Sequence, residues 1–396
     1  MGPSVFVLEN PIQDYAWGSH TAIAELLGRP ACGPEAELWI GAHPKAPSRI
    51  VSPPDLGTLD SAIQADPIGL LGHDVCDRFG NELPFLLKVL AAAEPLSIQA
   101  HPNHDQARRG WDRENAEGIP IDAPRRNYRD PNHKPELVCA ISPFVALEGF
   151  RPADEIARNL EPLARPEIAA ELARFARERT PLGLRALFAR LMTLDAEEKA
   201  SVLKRTAAEA ERRRADPAWD WVGRLLTRYP ADVSALSPLY LNLLTLAPGE
   251  ALFLPAGELH AYLGGTALEV MANSDNVLRG GLTAKHVDVP ELLSMLVFEG
   301  RSPEVLRPHQ ARPGERVYRS PAREFELALL DVAAGRPFVP GPGRGVEILL
   351  GLSGGAALRA GDAVTPLGRG GAVFVPASVP SYTIEGEGRV CRASVP

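Results

Sequence analysis

The chain has 396 residues, which is long for one domain and predicts two or three. Its 45% hydrophobic and 23% charged content is that of a globular protein able to bury a real core. A net charge of −8 and a pI near 5.7, with no basic arm, exclude the electrostatic footprint of a nucleic-acid binder, so an anionic ligand must be met by a few local cations.

At the N-terminus, MGPSVFVLENPIQ lacks the basic start of a signal peptide, carries Glu9 where an apolar run would continue, and has Phe6 where a myristoylation site needs Ser or Thr. Residues 1–150 then read as short β strands. The runs SVFVL, ELWIGA, PFLLKVL, LSIQA, ELVCAI and FVALEGF are punctuated by Pro, Gly, Asp and Asn. One helix is expected among them, at TAIAELLG, stopped by Gly28. The most apolar stretch, LPFLLKVLAAA, is too short for a membrane span and is broken by Lys88. Cys32, Cys76, Cys139 and Cys391 are far apart with no CxxC spacing, so neither a zinc finger nor a disulfide framework is indicated, and a reducing, cytoplasmic setting is expected.

Residues 151–230 change to an Ala-, Arg- and Glu-rich composition with helical spacing. Ile168, Leu172 and Phe175 recur after Pro166, and Leu184, Leu187, Phe188 and Leu191 repeat the pattern. Asp195 with Glu198 reads as a capping box, and Trp221, Leu225 and Tyr229 predict a further helix. The arginines here, interleaved with glutamates, read as a solvated helix face and not as a nucleic-acid surface.

From Leu239 the β pattern returns in LYLNLLTL, ALFLP, HAYL and ALEVM. A charged, proline-bearing linker is expected near 300–322, and then FELALLDV, VEILLGL, AVFVP and SYTI. GEALFLPAGELH (249–260) and GGAVFVPASVPS (370–381) read as two copies of one strand–proline–turn unit. The first ends in His260 and the second in Ser381, so only the first can hold a metal.

The first copy resembles the second motif of the cupin superfamily through Gly249, Pro255, Gly257 and His260, with Gly264 replacing the final Asn. In such a unit a strand, a tight turn and a return strand aim one imidazole into a barrel. Gln99 and His101 in SIQAHP stand two apart and share one face of a strand, with His104 placed in the outgoing loop. YRDPNHKPEL (128–137) abuts the apolar run LVCAI, and Glu136 at that edge can turn inward. Together Gln99, His101, Glu136 and His260 make a thiolate-free N/O set that suits zinc, and also manganese, iron or cobalt. LEVMANSDNVLRGGLTAK (268–285) adds Arg279 and Lys285, local cations of the kind a phosphate needs.

At this point the whole chain resembles the type I phosphomannose isomerases. The segments YAWGS around Trp17, ELWIGAHPKAPS (37–48), LPFLLKVLAAAEPLSIQAHP (83–102) and PFVALEGFRP (143–152) are similar to that family. Its two most specific motifs are Y-x-D-x-N-H-K-P-E, here Tyr128 to Glu136, and H-A-Y-L-x-G through S-D-N-x-x-R, here His260 to Arg279. The resemblance implies a mainly β fold of two cupin (jelly-roll) domains with an α-helical insertion. Residues 1–150 and 232–310 would form the catalytic cupin, 151–231 the insertion, and 311–396 a metal-free cupin. It implies one zinc ion per chain on Gln99, His101, Glu136 and His260, with Arg279, Lys134 and Asp275 as catalytic residues. Trp17, Lys88, Ser97, Tyr262, Glu269 and Lys285 would bind substrate.

The implied reaction interconverts mannose 6-phosphate and fructose 6-phosphate through an enediolate, in carbohydrate metabolism on the way to GDP-mannose. The proton carrier stays open among Lys134, Asp275, His101 and a zinc-bound water. A small phosphosugar is the expected partner, with no nucleic acid, no membrane and a monomeric chain. The alternatives are an isomerase of a free or different sugar, or a sugar-binding cupin without catalysis. The full ligand set speaks against the latter, and Arg279, Lys285, Lys88 and Ser97 against the former. Two positions depart from the family: Gly280 and Ala284 stand where Ala and Pro are usual, and predict a looser loop between Arg279 and Lys285.

Overall fold

In the computed structural model, which describes residues 4–396, the aliphatic runs condense into two ten-stranded sheets whose named strands pair antiparallel. Met1–Pro3, the start of the stretch read above for targeting signals, lie outside the described residues. No helix among the described residues is long and apolar enough to cross a membrane.

One sheet is organised on the 13-residue strand His260–Ala272. It pairs with Phe85–Ala92 and Glu136–Ala140 along its second half, and with Ile98–Ala100 and Phe144–Phe150 near its start. Glu37–Ile40 extends the sheet beyond Phe85–Ala92, and Leu278–Gly281 pairs with Ile98–Ala100. Phe85–Ala92 is buried along its whole length, which is why its sequence, Lys88 apart, is apolar and not alternating.

The second sheet is built on Glu347–Ala360, which pairs with Ala363–Gly368, Ala372–Val375, Thr383–Glu385 and Gly388–Ser394. Beyond Ala372–Val375 this sheet takes in Phe6–Glu9 and then Arg49–Ser52. Of residues 1–150, Phe6–Glu9 thus hydrogen-bonds to the C-terminal segment and Arg49–Ser52 to Phe6–Glu9, so both strands belong to the second sheet. One core is shared between the sheets, with Phe85, Val89, Leu137 and Val270 packed with Leu327, Ile348 and Phe374.

Between Phe150 and Leu241 the chain is helical without strands. The capping box is present, with Asp195 accepting from the Glu198 backbone N–H and the Glu198 carboxylate accepting from that of Asp195. Ile168, Leu172, Phe175, Leu184, Leu187, Phe188 and Leu191 are all buried. In Pro217–Arg228 the buried face runs through Trp219, Val222, Leu225 and Leu226. The expected face began one turn position off, because Trp221 is half-exposed under the Arg224 guanidinium.

Four helices in the first 150 residues were not expected. Leu59–Ala65, Pro67–Leu71 and His73–Phe79 are too short to show two turns of periodicity. His104, expected in a loop, opens the helix His104–Ala116, because Asn103 and Gln106 form a reciprocal cap ahead of it. The segment expected as a 300–322 linker holds two strands, His309–Arg312 and Glu315–Tyr318, which extend the second sheet beyond Glu326–Val332. Both copies of the repeat place a strand before the proline, Ala251–Leu254 and Ala372–Val375, and Ser381 ends the second copy in an exposed position.

Phe374 is fully buried and lies opposite Phe6, with ring centroids 5.8 Å apart. Phe374→Ala should remove about 3–5 kcal/mol of stability, read as a lower urea midpoint. An unchanged midpoint would mean that the Phe6–Glu9 strand is not held by this contact.

Candidate active site

The strand His260–Ala272 supplies three inward side chains, and its local irregularity explains how. His260 and Tyr262 share a face by the two-residue period, whereas Glu269 should point the other way. The pairing register with Phe144–Phe150 shifts between Tyr262 and Gly264, and Gly265 has φ +111. This extra residue restores Glu269 to the same side, where it accepts a hydrogen bond from the Tyr262 hydroxyl at 2.8 Å. The turn before His260 depends on Gly257, whose φ is +79 and whose backbone N–H donates to the His101 carbonyl at 2.8 Å.

Cross-strand register assembles the rest. Gln99 lies opposite His260 on one side and Arg279 on the other, so residues far apart in sequence present adjacent side chains. Lys88 lies opposite Glu269, and its ammonium is 3.0 Å from that carboxylate and 3.9 Å from Glu37. Burial opposes the charge on Lys88, but Glu37, Glu269 and Glu136 outweigh it and hold the ammonium above the ordinary lysine range. Burial, then Glu269, raises the Tyr262 hydroxyl.

At the centre, Glu136 is 3% exposed and presents one oxygen to each imidazole. Oε1 is 3.4 Å from His101 Nε2, and Oε2 is 3.4 Å from His260 Nε2. The ligand atoms of His101, Glu136 and His260 lie within 4.8 Å of one another. The donor set fits a divalent ion for a further reason. His101 Nδ1 donates to the Asn276 carbonyl at 2.8 Å, which fixes the tautomer with the Nε2 lone pair facing Glu136, and Nε2 is buried without a hydrogen bond. His260 Nδ1 is likewise turned to the Glu258 carbonyl at 3.2 Å. Burial lowers the His101 pKa to about 4, leaving it neutral at physiological pH, as a metal ligand must be. Burial works against the Glu136 charge, but Lys134 overrides it and the carboxyl is held well below its usual range.

Two connected hollows flank this group. An inner chamber of about 70 Å³ is lined by Lys88, Ser97, Gln99, Lys134, Glu136, His260, Tyr262 and Glu269. An outer cavity of about 390 Å³ shares Glu37, Leu96, Ser97 and Gln99 with it, and adds Tyr15, Trp17, Arg279 and Lys285. Lys134 Nζ reaches Glu136 Oε1 at 3.0 Å. Arg279 and Lys285 have no ion-pair partner among the described residues. Burial and Arg129 lower the pKa of Arg279, and burial, Arg279 and Arg129 lower that of Lys285.

Besides His101 of the metal group, Asp275 is the one expected site residue that lines neither hollow. It borders a separate cavity of about 500 Å³ with His43, Arg129 and Asp130, and its carboxylate is held by Lys45 at 2.7 Å. Sequence reasoning did not single out Glu37, Tyr15, His43 or Lys45. Their only signal was membership in the segments YAWGS and ELWIGAHPKAPS, since each acts through contacts made by folding. From the helical segment, Arg228 and Tyr229 reach the outer cavity.

Residues 5–153 match the family model of the phosphomannose isomerase type I catalytic domain. The chain is 43% identical to the mannose-6-phosphate isomerase of Escherichia coli, over 97% of this chain and 98% of that one. The chain belongs to the mannose-6-phosphate isomerase family. It is 36% identical to the human mannose-6-phosphate isomerase, over 83% of this chain and 82% of that one. The crystal structure of the Salmonella typhimurium mannose 6-phosphate isomerase bound to fructose 6-phosphate and zinc superposes with a TM-score of 0.92 at 42% identity, covering 99% of each chain. A zinc-bound mannose 6-phosphate isomerase superposes with the same TM-score of 0.92, also at 42% identity and over 99% of each chain.

Within this family the departures at Gly280 and Ala284 take on a physical meaning. Gly280 is not in a loop: it is buried in the strand Leu278–Gly281, and a Cβ there would meet Leu259 at 2.9 Å and Ile98 at 3.0 Å. The following backbone is held too, with Leu282 N–H donating to Asp232 at 2.8 Å and to Ser234 at 2.7 Å. The expected loosening is corrected at Gly280, while Ala284 is exposed beside Lys285.

His43 gives this region a pH signature. Burial lowers its pKa to about 4 against Asp275, and its Nδ1 accepts from the Lys45 N–H at 3.3 Å, which requires the neutral ring. The unfolded chain takes up this proton near the ordinary histidine value of about 6.5. Stability from His43 is therefore complete above that pH and is lost on acidification towards about 4. His43→Gln should narrow the acid-induced loss by about 3 kcal/mol, measured by urea unfolding at stepped pH. Parallel curves for variant and wild type would refute it.

Proposed function

We propose that the chain interconverts D-mannose 6-phosphate and D-fructose 6-phosphate at a zinc centre held by Gln99, His101, Glu136 and His260. The observation that carries this reading is the adjacency of the two hollows. Glu136 and His260 of the buried His–Glu–His group line one, two uncountered cations line the other, and Ser97 and Gln99 belong to both. A sugar spanning them places its carbonyl end by the metal group and its phosphate by Arg279 and Lys285.

Zinc at this centre supplies a Lewis acid beside the sugar oxygens that gain charge. The residues do the rest. A proton leaves C2 and returns at C1 through an enediolate, while the hydroxyl proton passes from O2 to O1. We assign the carrier to Lys134, which lines the inner chamber, over Asp275, whose carboxylate is engaged by Lys45. Asp275 then acts by placing its neighbours. Lys88, Tyr262 and Glu269, tied by bonds of 2.8 and 3.0 Å, form a rigid wall for the sugar hydroxyls. Trp17 and Ser97 complete that wall outward. The planar guanidinium of Arg279 suits two oxygens at once, on the enediolate or the phosphate.

We read the two sheets as two cupin (jelly-roll) domains, the first carrying the helical insertion 151–231 and the second metal-free, with Phe6–Glu9 and Arg49–Ser52 lent to the second. Antiparallel pairing of the named strands and the repeated strand–proline unit support this. The same reading makes the enzyme cytoplasmic and monomeric, on the route to GDP-mannose.

A coupled assay should show isomerisation of mannose 6-phosphate and little of mannose; equal rates would point to a free-sugar isomerase, and none to a binding protein. EDTA should remove one zinc ion from this centre and the activity together, with both restored by added zinc. Activity surviving complete loss of that ion would exclude a metal role. Arg279→Lys should lower kcat by about a hundred- to a thousand-fold, or about 3–4 kcal/mol, with little change in KM and full zinc content. A raised KM with intact kcat would assign Arg279 to anchoring alone.

A further inference from the structure

We propose that His104, His133 and Glu324 form a second, weaker site for a divalent transition metal, separate from the centre around Glu136. The three residues come from three places in the fold. His104 opens the helix His104–Ala116, His133 lies in the loop before Glu136–Ala140, and Glu324 precedes the strand Glu326–Val332 of the other sheet. One ligand atom from each lies within 4.8 Å of the others.

The two imidazoles are stacked, with centroids 3.7 Å apart and planes 23° from parallel. His133 Nε2 is 2.8 Å from Glu324 Oε1, and the second Glu324 oxygen accepts from the Arg323 N–H at 3.1 Å. Glu324 is buried, so its charge needs a partner in place. In the structure that partner is the His133 imidazole, at 2.8 Å. A divalent ion can sit between the two, binding Glu324 and the His133 ring nitrogen.

The third ligand is free to join. The ring of His104 is exposed and makes no hydrogen bond among the described residues, so it can turn to close the spacing to the bond lengths of about 2.0–2.1 Å that such ions require. Two imidazoles and one carboxylate favour zinc, cobalt, nickel or copper over magnesium or calcium, which need more oxygens. The group borders a cavity of about 390 Å³ walled by Phe79, Pro135 and Phe253, which leaves room for water in the remaining coordination positions. The nearby cation Arg78 does not compete, because its guanidinium is committed to Asp74 and to the Pro396 and Arg323 carbonyls.

A site made from an exposed histidine and an ion pair binds more weakly than one buried like His101. Its occupancy would tie both sheets together three residues from His101 and three from Glu136.

The test uses the full-length protein already carrying one zinc ion, dialysed against micromolar free zinc and analysed for metal per chain. Wild type is expected to hold a second ion that a mild chelator removes first. His104→Ala and Glu324→Gln should each weaken that second binding by at least about tenfold, the loss expected even for an outer partner. Both variants should keep the first ion and wild-type isomerisation of mannose 6-phosphate. Nitrogen-detected imidazole spectra of wild type should show His104 and His133 shifting with the second equivalent only, a readout that does not depend on how the variants fold. A wild type that stops at one ion, a second ion equally tight in both variants, or unmoved His104 and His133 signals would overturn the proposal. None of those results touches the first ion or the isomerase assay.

Discussion

A carboxylate sealed from water dictates much of this structure. Glu136, 3% exposed, can remain ionised only if opposite or polarisable groups surround it, and two imidazoles and the Lys134 ammonium do so. Those groups must in turn be fixed. His101 is fixed by the Asn276 carbonyl, and Asn276 by Asp130, Asn132 and the Arg129 N–H. The centre is thus the innermost layer of a nested polar network, each layer orienting the one inside it. A divalent ion completes that balance better than protons can, since it satisfies both imidazole lone pairs and the carboxylate together.

The charges outside the centre follow a different rule. Lys88 sits among carboxylates and is locked, whereas Arg279 and Lys285 sit with only Arg129 for electrostatic company and are destabilised as cations. On a chain of net charge −8, leaving these cations uncountered is costly unless something anionic arrives. The inner groups are built to hold still and the outer ones to receive.

Much of this was legible in the sequence where one residue carries the information locally. The strand runs, the Asp195 capping box, and the gathering of His101, Glu136 and His260 could be read because period, cap and ligand chemistry are short-range signals. The centre's support was not legible. Asn276, Glu37, His43 and Lys45 matter through partners far along the chain, and no spacing rule encodes a contact of that range. The bulge after Tyr262 was hidden for a related reason: strict alternation would have turned Glu269 outward, and only the pairing with Phe144–Phe150 reveals the extra residue. His104 was misplaced because its cap, Asn103 with Gln106, follows directly on a proline that read as loop. The strands Phe6–Glu9 and Arg49–Ser52 were assigned by proximity in sequence, whereas Phe6–Glu9 hydrogen-bonds to the other end of the chain and Arg49–Ser52 follows it into that sheet.

That last pairing bears on how the protein is made. Phe6–Glu9 lies between Arg49–Ser52 and Ala372–Val375. On a ribosome the first strand emerges early but its second neighbour emerges among the final residues. Until then one edge of an apolar strand has no partner, and the shared core around Phe85 and Phe374 is open on one side. Closing so long a loop is an entropic cost met only once Ala372–Val375 has emerged. The second sheet therefore cannot complete itself until Ala372–Val375 is made, and the nascent chain passes through a stage in which association with other chains competes with its own completion.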